Sequence, residues 1–415
     1  MKVFMLGWEF APIKSGGLGV ACRGIAEGLE CEGVDVVFAL PSYLNPNEDK
    51  QDGRIKIVSK RMKKYLIPVD EKIVEGPYLG SNVGATAKKF MEIEVKPGQK
   101  INHKNMYGPM FWKEIAKFSE EAKALATENP HDIIHVHDWM TYQAGAKVKE
   151  VSGKPLIAHV HATEMDRTGG NPNEYIYQLE KQGYIDADHI IVVSEHTKRV
   201  LELFYDIPGT KISVVHNAHI KKEDDHRFEF DEDHFSRRDK IVLFLGRVTL
   251  QKGPEYFVEV AKKVLSKRKD VKFVLAGHGD MMPKIINMII DNGLQENIFC
   301  AGFLSGNDLE RAFYHSKLYV MPSVSEPFGI SALEAVEFGT PVLMSKTSGA
   351  VEVVRNSLRA DFWDIEKMAN QVIAIIDYPV LGKTLVRYAK HETKYLTWHQ
   401  QSKKIHKIYQ DIKNA

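Results

Sequence analysis

The sequence predicts an α/β protein built as two doubly wound domains that face each other across a cleft. Three observations predict it. Short apolar runs alternate with segments of helical period along most of the chain, the pattern of strands joined by helices in parallel sheets. The rhythm breaks at a charge-dense stretch, KKEDDHRFEFDEDHFSRRDK (221–240), and then restarts. The chain has 415 residues, enough for two or three domains at roughly 100–200 residues each.

The first half opens with a βαβ unit. KVFML (2–6) is a short apolar strand, and KSGGLG (14–19) is a glycine loop. Ala21, Ile25 and Leu29 recur every fourth residue, as on one face of a helix, and Gly33 stops it before the strand VDVVFALP (34–41). DIIHVHDW, PLIAHVHA, HIIVVSE and KISVVHNA supply further strands. Residues 44–128 are the least legible, because Pro46, Gly53, Gly76, Gly80, Gly84, Gly98 and Gly108 break them into loops and short elements. Residues 219–240 form an interdomain linker with its surface flanks; the competing interpretation is a long solvated loop within one domain.

The second half alternates regularly. KIVLFLGR, VKFVLAGHG, NIFCAGF, LYVMPS and TPVLMS are strands. PEYFVEVAKKVLSKR, MMPKIINMIIDNG, SGNDLERAFYHSK and ISALEAVEFG are the helices between them. Right-handed crossovers then give a doubly wound sheet. The stretch from Leu381 to Ala415 is helical, and with no strand after it must dock on something already built.

Composition narrows the class. The chain is 44% apolar and 27% charged, with a net charge of +1, so nothing marks it as a nucleic-acid or membrane-surface binder. Its three cysteines, Cys22, Cys31 and Cys300, form no C-x-x-C pair, which argues against a disulfide framework and fits a reducing cytoplasm. The N-terminus is interrupted by Gly7 and Glu9 and fits a first strand better than a signal peptide. No run of 18 uninterrupted apolar residues suggests a membrane span.

Ligands of open α/β sheets bind beyond the carboxyl ends of the strands, so the strand-to-helix turns carry the candidates. In the first, Gly16, Gly17 and Gly19 let backbone N–H groups approach an anion, and Lys14 adds a mobile charge. Cys22 stands where a dinucleotide fingerprint needs its third glycine, and no acid follows the second strand; a tight β-to-α turn remains the plain alternative. In the second half, Gly246–Gly253 places Arg247 and Lys252 at the mouth of a sheet. They can stabilise charge developing on a leaving diphosphate, or form a solvated surface pair. Glu326 lies on the loop before a helix begun by Gly329 and Ile330, whose free N–H groups suit phosphate, and Glu334 lies inside that helix. Carboxylates accept hydroxyl hydrogen bonds from a sugar or a ribose. His135 and His137 share one strand face, as do His159 and His161. With no acid cluster or cysteine near them in sequence, no metal site is expected; some are packed strand histidines, and His161 reaches the cleft.

Four separated motifs together resemble the glycogen and starch synthase family, and more broadly the retaining glycosyltransferases of the GT-B fold, a pair of Rossmann-like domains. They are K-S-G-G-L-G (14–19), G-R-x-x-x-x-K-G (246–253), E-P-F-G-I-S-A-L-E (326–334) and Y-L-T-W-H-Q-Q (395–401). The resemblance implies an N-terminal acceptor-side domain over 1–218, the linker at 219–240, a nucleotide-sugar domain over 241–394, and a terminal helix (395–415) crossing back. It implies that Lys14 and the glycines after it lie over the donor diphosphate, and that Arg247 and Lys252 bind it from the other side. Glu326 and His161 would stand by the transferred sugar, Glu334 by the ribose, and Glu9, Asp138 and Trp139 on the acceptor side. It implies ADP- or UDP-glucose as co-substrate, a glucan or oligosaccharide acceptor, retention, and neither metal nor cofactor. Val20, the run His216–His219 and Ser348-Gly349-Ala350 depart from the synthase pattern, which leaves open a small acceptor such as a sugar, sugar phosphate or polyol. A nucleotide-sugar epimerase and a non-catalytic sensor share the fold. The full set of Arg247, Lys252, Glu326 and His161 speaks against the sensor.

Overall fold

The computed structural model of the chain describes residues 1–12, 16–41, 50–60, 64–69, 89–94, 111–219, 233, 235 and 238–414, with the backbone alone at 50, 51, 64–69 and 89–94. The first half contains β1 (Lys2–Leu6), α1 (Gly17–Cys31), β2 (Asp35–Ala39), β3 (Lys50–Asp52), β4 (Ile55–Val58), β5 (Lys64–Val69), β6 (Lys89–Glu94), α2 (Phe111–Glu128), β7 (Ile133–His137), α3 (Trp139–Ser152), β8 (Leu156–Val160), α4 (Glu164–Thr168), α5 (Glu174–Asp186), β9 (His189–Val192), α6 (Glu195–Phe204) and β10 (Ile212–Val214). Eight strands form one sheet in the order β10-β9-β8-β7-β1-β2-β4-β3, parallel except where β3 meets β4. β5 and β6 make a separate antiparallel pair.

Val3, Phe4, Met5 and Leu6 of β1 are all fully buried. Both faces of this sheet are covered, which is why its strands are continuous apolar runs rather than alternating ones. Helices α2, α3, α5 and α6 pack on one face, and α1 with the last helix of the chain on the other. The expectation of loops and short elements through residue 128 is corrected by α2, an 18-residue helix. It begins just past Gly108 and Pro109, and Ile115, Phe118, Ala122 and Leu125 form its buried stripe.

The second half contains β11 (Ile241–Leu245), α7 (Pro254–Leu265), β12 (Lys272–Ala276), α8 (Met282–Asp291), β13 (Ile298–Gly302), α9 (Gly306–His315), β14 (Leu318–Met321), α10 (Ile330–Glu337), β15 (Val342–Ser345), β16 (Leu358–Ala360), α11 (Ile365–Asp377), α12 (Pro379–Thr393) and α13 (Trp398–Asn414). Its six strands are all parallel, in the order β13-β12-β11-β14-β15-β16. This is the expected pair of doubly wound domains. The linker expected at 219–240 lies mostly outside the described residues. Near its end, Arg238 donates to the carbonyls of Ser316 at 3.0 Å and Gly339 at 2.9 Å, which fixes it to the second domain.

The helical stretch expected from Leu381 is broken between α12 and α13. α13 then lies across α1. A Cβ on Gly24 would come within 2.4 Å of the Trp398 ring, and one on Gly28 within 2.4 Å of Ser402 Oγ, so both glycines are needed for this approach. Ser402 Oγ donates to the Ile25 carbonyl at 3.1 Å, and Lys413 pairs with Asp132 at 2.8 Å. Trp398, Ile405 and Tyr409 are buried there. Each such apolar side chain contributes about 1.5–3 kcal/mol.

Candidate active site

The strand ends of the second sheet gather the cations and acids. The turn after β11 carries Arg247 and Lys252, and Gly253, in the left-handed region at φ 62°, starts α7. The turn after β14 carries Ser323, Ser325 and Glu326. Lys252 Nζ lies 2.5 Å from Glu326 Oε2, which also accepts from Ser323 Oγ at 3.0 Å. Arg247 is exposed and donates to Gln251 Oε1 at 3.1 Å. Gly329 begins α10 at φ 97°, with Ile330 as the first helical residue, so the unbonded N–H groups of that first turn adjoin the Glu326 loop. Burial raises the carboxyl of Glu334 above its ordinary range, against a lowering from nearby His219. Tyr319, which the sequence did not single out, feels the charge of both Glu326 and Glu334 and bonds Ser331 Oγ at 2.8 Å.

The first sheet supplies the facing groups. Gly16 caps α1, and Gly17 and Gly19 lie in its first turn; Lys14 lies outside the described residues. The Glu9 carboxylate lies against Gly16, where an added Cβ would be 2.7 Å from Glu9 Oε2. His161 follows β8. Its Nε2 is 3.0 Å from His137 Nδ1, so the ring is turned toward the sheet and not only toward the cleft. His135 bonds His159 at 3.2 Å and, through Nδ1, the hydroxyl of Tyr409 on α13. Burial drives His135 and His161 down to about 3 and His137 and His159 well below the ordinary range, so all four imidazoles are neutral near pH 7.

Asp138 and Trp139, expected on the acceptor side, are both buried. Asp138 holds φ at 60°, which turns its carboxylate back to accept from the His161 N–H at 2.7 Å and the Ala162 N–H at 3.4 Å. It is 6% exposed, and burial raises it to about 6, although Arg167 and these two N–H groups pull the other way. Trp139 is 5% exposed and packs against Phe111 and Trp112. Asp138 thus ties down the His161 turn, and Trp139 packs the start of α3. The sequence could not display the positive φ that makes this so.

The two halves meet at these same turns. Asp166 caps α4 in a reciprocal box with Thr163, and its other oxygen accepts from Ser325 Oγ at 2.5 Å. Ser194 Oγ donates to the Pro327 carbonyl at 2.6 Å. Glu352 accepts from the backbone N–H groups of Glu195 and His196, each at 3.0 Å, at the start of α6, and pairs with His216 Nε2 at 2.7 Å. Asp166, Ser325, Ser194 and Glu352 were all missed from the sequence. Only the Thr163-x-x-Asp166 capping pattern gave a signal. A further correction concerns Cys22. More than a hundred residues from the histidines in sequence, it is brought by α1 to within 4.8 Å of donor atoms of His137 and His161.

Known proteins resemble this chain in sequence and in fold. The family model for the starch synthase catalytic domain matches residues 2–207, and that for glycosyl transferases group 1 matches residues 225–392. An uncharacterized glycosyltransferase of Methanocaldococcus jannaschii is 30% identical over 393 residues, spanning 91% of this chain and 88% of its own. The sucrose-phosphate synthase of Thermosynechococcus elongatus superimposes with a TM-score of 0.75 at 17% identity, over 99% of both chains. The catalytic domain of starch synthase IV from Arabidopsis thaliana, bound to ADP and acarbose, does so with a TM-score of 0.68 at 17% identity, over 100% of both.

Proposed function

This chain belongs to the glycosyltransferases of the GT-B fold, with a first domain of the starch-synthase type, and on that premise we propose that it moves glucose from ADP- or UDP-glucose to the non-reducing end of an α-1,4-glucan with retention. The observation that carries this function is the Lys252–Glu326 pair, joined through neighbouring Ser325 to Asp166 of the His161 turn. In this function Arg247 and Lys252 take up the charge that grows on the departing nucleoside diphosphate. That interaction is stronger in the transition state than in the ground state, so it raises the rate. The first turn of α10 and the glycines of α1 offer N–H groups to the same phosphates. Glu326 accepts hydrogen bonds from the hydroxyls of the sugar, and Glu334 from those of the ribose. The nucleotide sugar is a co-substrate, and the step uses no resident cofactor.

A second function, transfer to a small acceptor, is favoured by one observation. Asp138 and Trp139 are buried in the first domain, which removes two groups from an extended glucan surface. The test is a matrix of ADP- and UDP-glucose against glycogen, maltooligosaccharides, monosaccharides and sugar phosphates, followed by nucleotide release. Release that requires a glucan supports the first function. Release with a monosaccharide or sugar phosphate alone replaces it with the second. No release with any pair removes both.

A further inference from the structure

We propose that Cys22, His137 and His161 form a site for a zinc-type divalent cation beneath the active site, and that its occupation inhibits transfer by holding His161. The inhibition rests on the function proposed above; the binding does not.

Three elements converge to make the site. Cys22 lies on the face of α1 that packs on the first sheet, His137 ends β7, and His161 follows β8. One donor atom from each lies within 4.8 Å of the other two. A tetrahedral zinc with Zn–S of about 2.3 Å and Zn–N of about 2.0–2.1 Å holds its donors roughly 3.3–3.6 Å apart. The two imidazoles touch at 3.0 Å through His137 Nδ1 and His161 Nε2, so binding an ion requires one ring to turn out of that contact as well as the thiol to approach.

The hydrogen bonding of the pair points the same way. Between two neutral imidazoles only one N–H can sit in the contact. His137 Nε2 and His161 Nδ1, the outer nitrogens, are buried and have no hydrogen-bond partner among the described residues. Whichever ring donates, one outer nitrogen is a buried lone pair without a donor among the described residues, and a cation bound through that nitrogen would relieve the cost. His135, by contrast, has both nitrogens engaged, by Tyr409 and His159, so the neighbouring group of His135, His137 and His159 is the poorer candidate.

The electrostatics and the donor chemistry agree. Burial, and then the Asp138 and Glu9 carboxylates, raise the Cys22 thiol well above its ordinary range, and the two carboxylates set up a negative field that draws a cation. Two imidazoles and a sulfur select zinc over magnesium or calcium, and the thiol gives up its proton on coordination. Cys22 and His137 are fully buried while His161 is partly exposed.

Cobalt(II) is the probe for binding and zinc for inhibition. The purified full chain should take up one equivalent of Co²⁺ and show a thiolate-to-cobalt charge-transfer band in the near ultraviolet with tetrahedral visible bands. Cys22→Ala should abolish the charge-transfer band and weaken binding at least about tenfold. His161→Gln should weaken it comparably, and circular dichroism with a thermal melt confirms that each variant is folded. Zinc should inhibit nucleotide release by the wild type, with recovery on chelation. Cys22→Ala should keep its basal rate and resist zinc at least about tenfold better. Absence of the band at stoichiometric cobalt, or a band unchanged in Cys22→Ala, overturns the site. A band with transfer insensitive to zinc overturns the inhibitory role. If no donor is turned over at all, the proposed function fails, and the cobalt spectra still decide the site.

Discussion

Lys252 Nζ and Glu326 Oε2 lie 2.5 Å apart, although their turns are 74 residues apart in the chain. Glu326 is 5% exposed, so the lysine is both its counter-charge and the cation that a diphosphate would meet. Lys252→Ala should lower kcat about 10²–10³-fold, the scale of removing one preorganised donor. Arg247→Ala should do the same without the accompanying loss of stability, because Arg247 is exposed. Steady-state nucleotide release on both variants, beside a thermal melt, checks this. An unchanged kcat in both would remove the diphosphate clamp.

Asp138 makes stability depend on pH. Its carboxyl titrates near about 6 in the folded chain, above the roughly 3.9 of an unfolded one. The native state therefore holds the proton more tightly, and this stabilising contribution is complete below about pH 4 and lost as the pH rises through about 6. Relative to Asp138→Asn, which tolerates the positive φ and still accepts from the His161 N–H, the wild type should lose about 3 kcal/mol between those limits. Urea unfolding across that range measures it. Parallel pH curves for the two proteins would contradict the assignment.

Glu352 binds the two domains together through the start of α6 and through His216. Glu352→Ala should weaken the contact between the domains by about 1–2 kcal/mol, which raises the donor KM by a factor of about 5–30. Small-angle scattering should show an expanded particle. An unaltered KM and radius would mean that Ser194–Pro327 and Asp166–Ser325 hold the seam without it.

The crossing helix depends on two glycines. Gly28→Leu should push α13, through Ser402, away from α1 and cost about 1–3 kcal/mol, as overpacking does. A lowered Tm reports it. The same substitution at Gly33, where an added Cβ meets nothing within 4 Å, tests backbone strain alone.

Much of this was legible in the sequence, and the reasons are local. The central strands show themselves because burial on both faces demands unbroken apolar runs, as in KVFML and IVLFL. Lys252 and Glu326 could be singled out because strand-end turns are short and chemically sparse. What stayed hidden depends on distance or backbone angle. The inward turn of Asp138 follows from a φ of 60°. The approach of Cys22 to His137 follows from how α1 seats on the sheet. Ser325 meets Asp166, and Glu352 meets α6, only because the domains face each other, and no spacing within either domain encodes that. α2 was obscured by the glycines that precede it.

Product analysis tests the central claim most directly. Maltooligosaccharide would be incubated with ADP- or UDP-glucose and the wild type, with Glu326→Ala as control, and the products resolved by chain length and anomeric configuration. Wild-type protein should give a ladder of chains extended by α-linked glucose, and a folded Glu326→Ala should give none. Chains of unchanged length with every donor, or an equal ladder from Glu326→Ala, would contradict it.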